Sequence, residues 1–232
     1  MSGDEIADRS RLERALAEAE RRQIDLEQRL IALVAASGTL FGSPTIEDVL
    51  PSVVVLARTL IPADGYALWR FDAASKTWHI GASAGISEAF TDRIIASYRG
   101  DQVSTLPFSE PLIAETVHTI PMLEERIEAY RAEGIESMLA VPLQIAGHAS
   151  GTLVFYFRSP HQFSDIEVQT SRALANLAAA AISTAEVYEL QQGNRERAER
   201  ANRQAACLSD ASAALGSSLN ATFMRKVPEP HL

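Results

Sequence analysis

Apolar residues near the start of the chain recur in alternating steps of four and three: Leu12, Leu16, Ala19, then Gln23, then Leu26, Leu30 and Leu33. Such spacing draws one seam along a helix, and Gln23 is its polar member. Residues 5–34 hold no Pro or Gly and are dominated by Ala, Leu, Glu, Gln and Arg, all strong helix formers. Glu18/Arg22 and Asp25/Arg29 place opposite charges one turn apart on the other faces. The seam must be covered, either by a second copy in a parallel two-stranded coiled coil or by the chain's own globular part. It begins well ahead of any globular pattern, which favours the coiled coil.

Breaks follow at Ser37-Gly38 and Gly42-Ser43-Pro44. Thr45 and Asp48 then form a weakened capping box for a helix to about Leu60, with Ile46, Val49, Leu50, Val53, Val54 and Leu56 on its apolar face. Pro62 ends it. From residue 65 the period becomes that of strands. Tyr66 to Phe71 and Thr77 to Ala82 flank a turn-length connection, residues 72–76, and predict a hairpin. Glu88 to Arg99 returns to helical spacing, with Phe90, Ile94, Ile95 and Tyr98 on one side. Residues 100–121 read as an extended loop interrupted by a short helix over Ser109 to Thr116. Met122 to Glu133 predicts another short helix, stopped by Gly134.

Met138 to Leu143 is nearly all apolar and predicts a buried strand, with Pro142 at a bulge or strand end. Ala146-Gly147-His148 is its turn and Gly151 to Phe157 the returning strand. Ser164 and Glu167 make a full capping box for a helix that begins near Asp165 and continues past Tyr188. Ala178 to Ala181 allow close helix approach on it. Residues 191–206 read as its charged continuation, weakened at Gly193.

Composition narrows the class. A chain of 232 residues with 47% hydrophobic residues is too apolar for disorder and long enough for one domain with flanking segments. The net charge of −9 disfavours nucleic acid and anionic membrane surfaces, which need a basic face. The longest apolar run, Leu30 to Ala36, falls far short of the ~20 residues of a membrane span. The acidic start resembles no signal peptide, and one cysteine, Cys207, builds neither a disulfide framework nor a zinc cluster. A cytoplasmic location is expected. Residues 33–45 and 208–220 share Leu, Ala, Ser, Leu and Ser at equivalent positions. Either two Ala/Ser-rich helix ends coincide by chance, or a second domain begins at 208 and is cut short.

The stretch Gly134-Ile135-Glu136-Ser137-Met138-Leu139-Ala140-Val141-Pro142-Leu143 resembles the G-I-x-S-h-h-h-V-P-L motif of GAF domains, h being apolar. Gly147 and Gly151-Thr152-Leu153 resemble that family's G-x-x-x-G-x-L turn and strand. Phe163-Ser164-Asp165 through Ala181-Ile182 resembles its last helix, and Asp64 to Asp72 fits its front hairpin. The resemblance implies an α/β fold of the α+β type. A central antiparallel sheet of five or six strands would carry the first and last helices on one face and a covered ligand cavity on the other. The domain layout is then a coiled-coil helix (1–34), a GAF domain (35–190), a helical linker (191–207), and a truncated second domain or disordered tail (208–232).

The resemblance further implies a non-catalytic sensory or regulatory module. It would bind a small molecule, form a homodimer through its N- and C-terminal helices, and relay the signal to an output domain such as a histidine kinase. The alternative is a structural dimerisation and spacing module with no ligand. The ligand is not identified by the sequence. Cyclic-nucleotide binders of the family carry N-K-x-F-D-E, absent here, and covalent bilin attachment needs a cysteine that 33–190 lacks. The Asp that often follows V-x-I-P is replaced by Met122. An enzyme resembling the free-methionine sulfoxide reductases would also need cysteines in that region. Gly81 to Gly85 has the outline of a nucleophile elbow but ends a hairpin strand. The pocket candidates are Trp69, Phe90, Arg93, Tyr98 and His118, with Phe71, Trp78, Arg99 and Phe108 near them in the pattern. No metal site is expected, since no His pair stands at ligand spacing.

Overall fold

A computed structural model describes residues 45–72, 75–98, 109–145 and 148–224, together with Arg21, Gly38, Leu40 and Gly42. The heptad seam lies outside the described residues, as do Arg99 and Phe108. The chain divides into two compact units, Met1–Glu186 and Val187–Leu232.

In chain order the elements are α1 (Ile46–Leu60), β1 (Gly65–Asp72), β2 (Thr77–Ala84), α2 (Glu88–Ser97) and β3 (Leu112–Ala114). Two 3₁₀ turns follow, Val117–Thr119 and Pro121–Arg126. Then come α3 (Ile127–Glu133), β4 (Ser137–Ile145), β5 (His148–Phe157) and α4 (Asp165–Met224). The strands form one antiparallel sheet in the order β2-β1-β5-β4-β3. Five strands is the lower of the two counts expected, and the α+β architecture is as the motifs implied.

Strand alternation sorts the sheet's side chains into two cores. Leu68, Leu139, Val141, Leu153 and Phe155 meet Val53, Ala57 and Leu60 of α1 and Leu174, Ala178 and Ile182 of α4. The residues between them, Ala67, Trp69, Met138, Ala140, Val154 and Tyr156, meet Phe90 and Ile94 of α2, Leu123, and Tyr130 of α3. β1, β4 and β5 are thus buried on both faces. That explains why the sequence from Met138 to Leu143 is a continuous apolar run.

Each residue of the Gly134 motif has a physical task. Gly134 adopts φ 74°, ψ 27°, the left-handed conformation that ends α3. Ile135 is buried, and its N–H donates to Tyr130 O (2.9 Å). Ser137 is fully buried and ties three segments together. Its Oγ donates to Glu115 O (2.7 Å), with Ser159 O at 3.1 Å, and accepts from His161 N (2.9 Å). Pro142 sits opposite Thr152, beyond the stretch of β4 that β3 covers, so its missing N–H breaks no bond to β3. The bulge falls just after it, between Leu143 and Gln144. A Cβ on Gly151 would lie 2.4 Å from Trp69 O, so only glycine lets β5 approach β1 there.

The capping box at Ser164 forms in full: Glu167 N donates to Ser164 Oγ (3.3 Å) and Ser164 N to Glu167 Oε2 (2.8 Å). The weakened box at Thr45 gives no side-chain cap, and Thr45 Oγ1 instead donates to Asp48 Oδ2 (2.6 Å).

Two local expectations are corrected. The segment expected as a helix over Ser109–Thr116 contains edge strand β3, where Leu112, Ile113 and Ala114 pair with Ala140, Leu139 and Met138. Cross-strand bonds and the complete burial of Ala114 outweigh local helix preference. The helix expected from Met122 starts instead as the 3₁₀ turn Pro121–Arg126, with Leu123 N bonded to Ile120 O (2.9 Å), and becomes α-helical at Ile127. Helix α4 runs through Gly193 to Met224, so residues 191–207 are helical and residues 208–224 share the element. No helix among the described residues is long and apolar enough to cross a membrane.

Candidate functional site

On the sheet face opposite α1 and α4, a cavity of about 40 Å³ lies between the strands and the cover made by α2, the 3₁₀ turn Pro121–Arg126 and α3. Its floor is Trp69, Trp78, Met138, Ala140, Thr152, Val154 and Tyr156. Its cover is Ile94, Tyr98, Met122, Leu123, Arg126 and Tyr130, with Leu112 at the β3 edge.

The aromatic side chains hold one another in place. Trp78 stacks on Tyr98 at 5.2 Å between ring centroids, and Trp69 Nε1 donates to Tyr156 OH (3.1 Å). Phe90 meets Tyr156 edge-on at 5.4 Å and Tyr130 at 5.8 Å. Arg126 supplies the positive charge. Its guanidinium lies 4.1 Å over the Tyr98 ring, and its Nε donates to Ser97 Oγ (3.2 Å). No carboxylate among the described residues pairs with Arg126. Burial pushes the Tyr130 phenol up to about 12, against a smaller downward pull from Arg126. Burial also drives Tyr156 well above the ordinary phenol value and raises Tyr98, so all three stay neutral donors.

Thr152 stands apart. It is 4% exposed and on the cavity floor, yet its Oγ1 has no hydrogen-bond partner among the described residues. A buried hydroxyl left so costs about 1–3 kcal/mol.

The five sequence candidates divide. Trp69 and Tyr98 line the cavity. Phe90 is buried behind it, supporting Tyr130 and Tyr156. Arg93 is exposed on α2, and His118 is exposed on the 3₁₀ turn Val117–Thr119. The structure therefore does not bring Arg93 and His118 to this cavity, and its cation among the described residues is Arg126. The turn Pro121–Arg126 carries Arg126 to the cover. Thr152 was legible only as the residue after Gly151 in the returning strand. Among the described residues no group of His, Cys, Asp and Glu could hold a metal ion.

The architecture is an α+β domain: one antiparallel sheet, a helix pair on one face, and a covered cavity on the other. The family model for the GAF domain matches residues 45–182, more than half the sequence. This chain belongs to the GAF domain family. Among solved structures it is similar to the domain of a protein from Sinorhizobium meliloti assigned as a two-component sensor histidine kinase (26% identity, TM-score 0.52), covering 70% of this chain and 99% of that one. It is also similar to the GAF domain of a phosphoenolpyruvate-protein phosphotransferase from Coxiella burnetii (22%, TM-score 0.57), covering 70% of this chain and 96% of that one. A third relative is the GAF domain of a protein from Pseudomonas syringae pv. tomato assigned as a sensor histidine kinase (19%, TM-score 0.56), covering 76% of this chain and 99% of that one. No curated protein matches at a significant level.

Proposed function

We propose that this chain is a sensory GAF module that binds a small molecule in the cavity and relays its presence, as a homodimer, through its helices to an output domain such as a histidine kinase. The observation that carries this reading is the double use of β5. Thr152, Val154 and Tyr156 face the cavity, and the alternate residues Leu153, Phe155 and Phe157 belong to the core against α1 and α4. An occupant that moves β5 by a fraction of an ångström displaces the packing of both helices. It shifts the equilibrium only as far as its affinities for the two packings differ. Arg70 on β1, ion-paired with Glu186 on α4, adds a second link from sheet to helix. Kinship in fold with domains assigned to sensor histidine kinases supports that output class.

A second reading, a spacer that dimerises without a ligand, is favoured by the cavity's small volume of about 40 Å³. Native mass spectrometry of the purified chain separates the two. The sensor reading expects a dimer with a bound small molecule whose retention falls in Arg126→Gln. A bare dimer under all growth conditions supports the spacer, and a bare monomer overturns both.

A further inference from the structure

We propose that the cavity is a receptor for a short-chain monocarboxylate, its carboxylate on Arg126 and Thr152 and its carbon end against Trp78 and Met138. This rests on the sensory reading and names the chemical class sensed. Three observations converge on it.

The polar groups facing the cavity are donors. Arg126 uses Nε on Ser97, the face of its guanidinium on Tyr98 and a hydrogen bond to Tyr130, and neither of its terminal nitrogens meets a carboxylate among the described residues. Thr152 Oγ1 is buried and unpartnered on the floor. Tyr156 OH accepts from Trp69 Nε1, which leaves its own proton for a second acceptor. Among the described residues no acidic one lines the cavity. A cluster of donors beside an uncompensated guanidinium selects an anionic acceptor, and the fork of an arginine suits a carboxylate.

The remaining lining is apolar, with Trp78, Met138, Val154 and Leu123 presenting carbon to the rest of the space. A carbon tail is matched there and a fully hydrated anion is not. The volume sets the length: about 40 Å³ corresponds to about three water positions, which a carboxylate with one or two further carbons fills.

The molecule carries its own reporter. The chain has two tryptophans, Trp69 and Trp78, and both line the cavity. Tryptophan emission of the full chain is titrated with acetate, propionate and pyruvate, and in parallel with the neutral isostere acetamide and with nitrate. The expected result is a saturable change with the carboxylates and none with acetamide. Arg126→Gln should raise the midpoint about tenfold or more and Thr152→Val about three- to tenfold, whereas Arg131→Gln, on an exposed site of α3, leaves it unchanged. Acetamide or nitrate matching acetate, an unchanged midpoint in Arg126→Gln, or a flat carboxylate titration overturns the proposal. The acetate–acetamide comparison uses the unaltered chain, so it stands even if a variant fails to fold. Flat carboxylate titrations together with a different molecule retained in native mass spectrometry refute this class and keep the sensor. Saturable acetate binding by a strict monomer keeps the site and refutes the relay.

Discussion

Ser137 and Thr152 are both buried hydroxyls on neighbouring strands, and their bonding sets opposite expectations for their removal. Ser137 Oγ bonds the Glu115 carbonyl on one segment and, on the loop after β5, lies 3.1 Å from Ser159 O and accepts from His161 N. Ser137→Ala strands those groups in a dry environment and is expected to lower stability by about 1–3 kcal/mol, read as a reduced urea midpoint. Thr152 Oγ1 bonds to nothing described, so Thr152→Val keeps the shape and is expected to leave the unliganded midpoint unchanged or raise it. Glu167 makes the acid side measurable. Burial pushes its carboxyl up, but bonds from Ser164 N and Oγ and from His161 more than offset this and hold it below its ordinary 4.5. A depressed folded value means the contribution is present above the unfolded value and lost as pH falls through the folded one. Thermal midpoints between about pH 5 and pH 3 should therefore fall more steeply in the parent chain than in Glu167→Gln. At this scale the sequence was most legible where a motif encodes backbone need, as at Gly134 and Ser137. It was least legible where a cavity wall is assembled from distant segments. Nothing local distinguishes Arg126, on the cover, from Arg93, in solvent.

The elements owe their boundaries to the same competition between local preference and tertiary pairing. Apolar periodicity located α1, both hairpins and α4, because α1 and α4 bury a full stripe and β1, β4 and β5 bury both strand faces. It misread Ser109–Thr116, where three residues of edge strand gain their bonds from β4, far along the chain. It also overlooked the 3₁₀ start of the next segment, which Pro121 opens. The glycine that closes α3 tests how firmly such a boundary is held. Gly134→Ala meets no neighbouring atom, so its cost is that of an L-residue in the left-handed region, about 1–2 kcal/mol by urea unfolding. Gly151→Ala should cost more and broaden the native spectrum, since its Cβ would lie 2.4 Å from Trp69 O and force β5 off β1.

For the molecule as a whole, the proposed relay requires a twin. The heptad pattern from Leu12 to Leu33 reads as one half of a seam. On α4, Val187, Tyr188 and Leu190 are 52%, 43% and 64% exposed, which is unusual for three large apolar residues within one turn. Leu190→Glu would set a charge among them and is expected to weaken any pairing through that stretch without touching the domain core. Sedimentation equilibrium over a wide concentration range tests this directly. The account expects twice the chain mass of 25.2 kDa for the parent chain and a shift toward the single-chain mass in Leu190→Glu. A parent chain that sediments as 25.2 kDa at every concentration contradicts it.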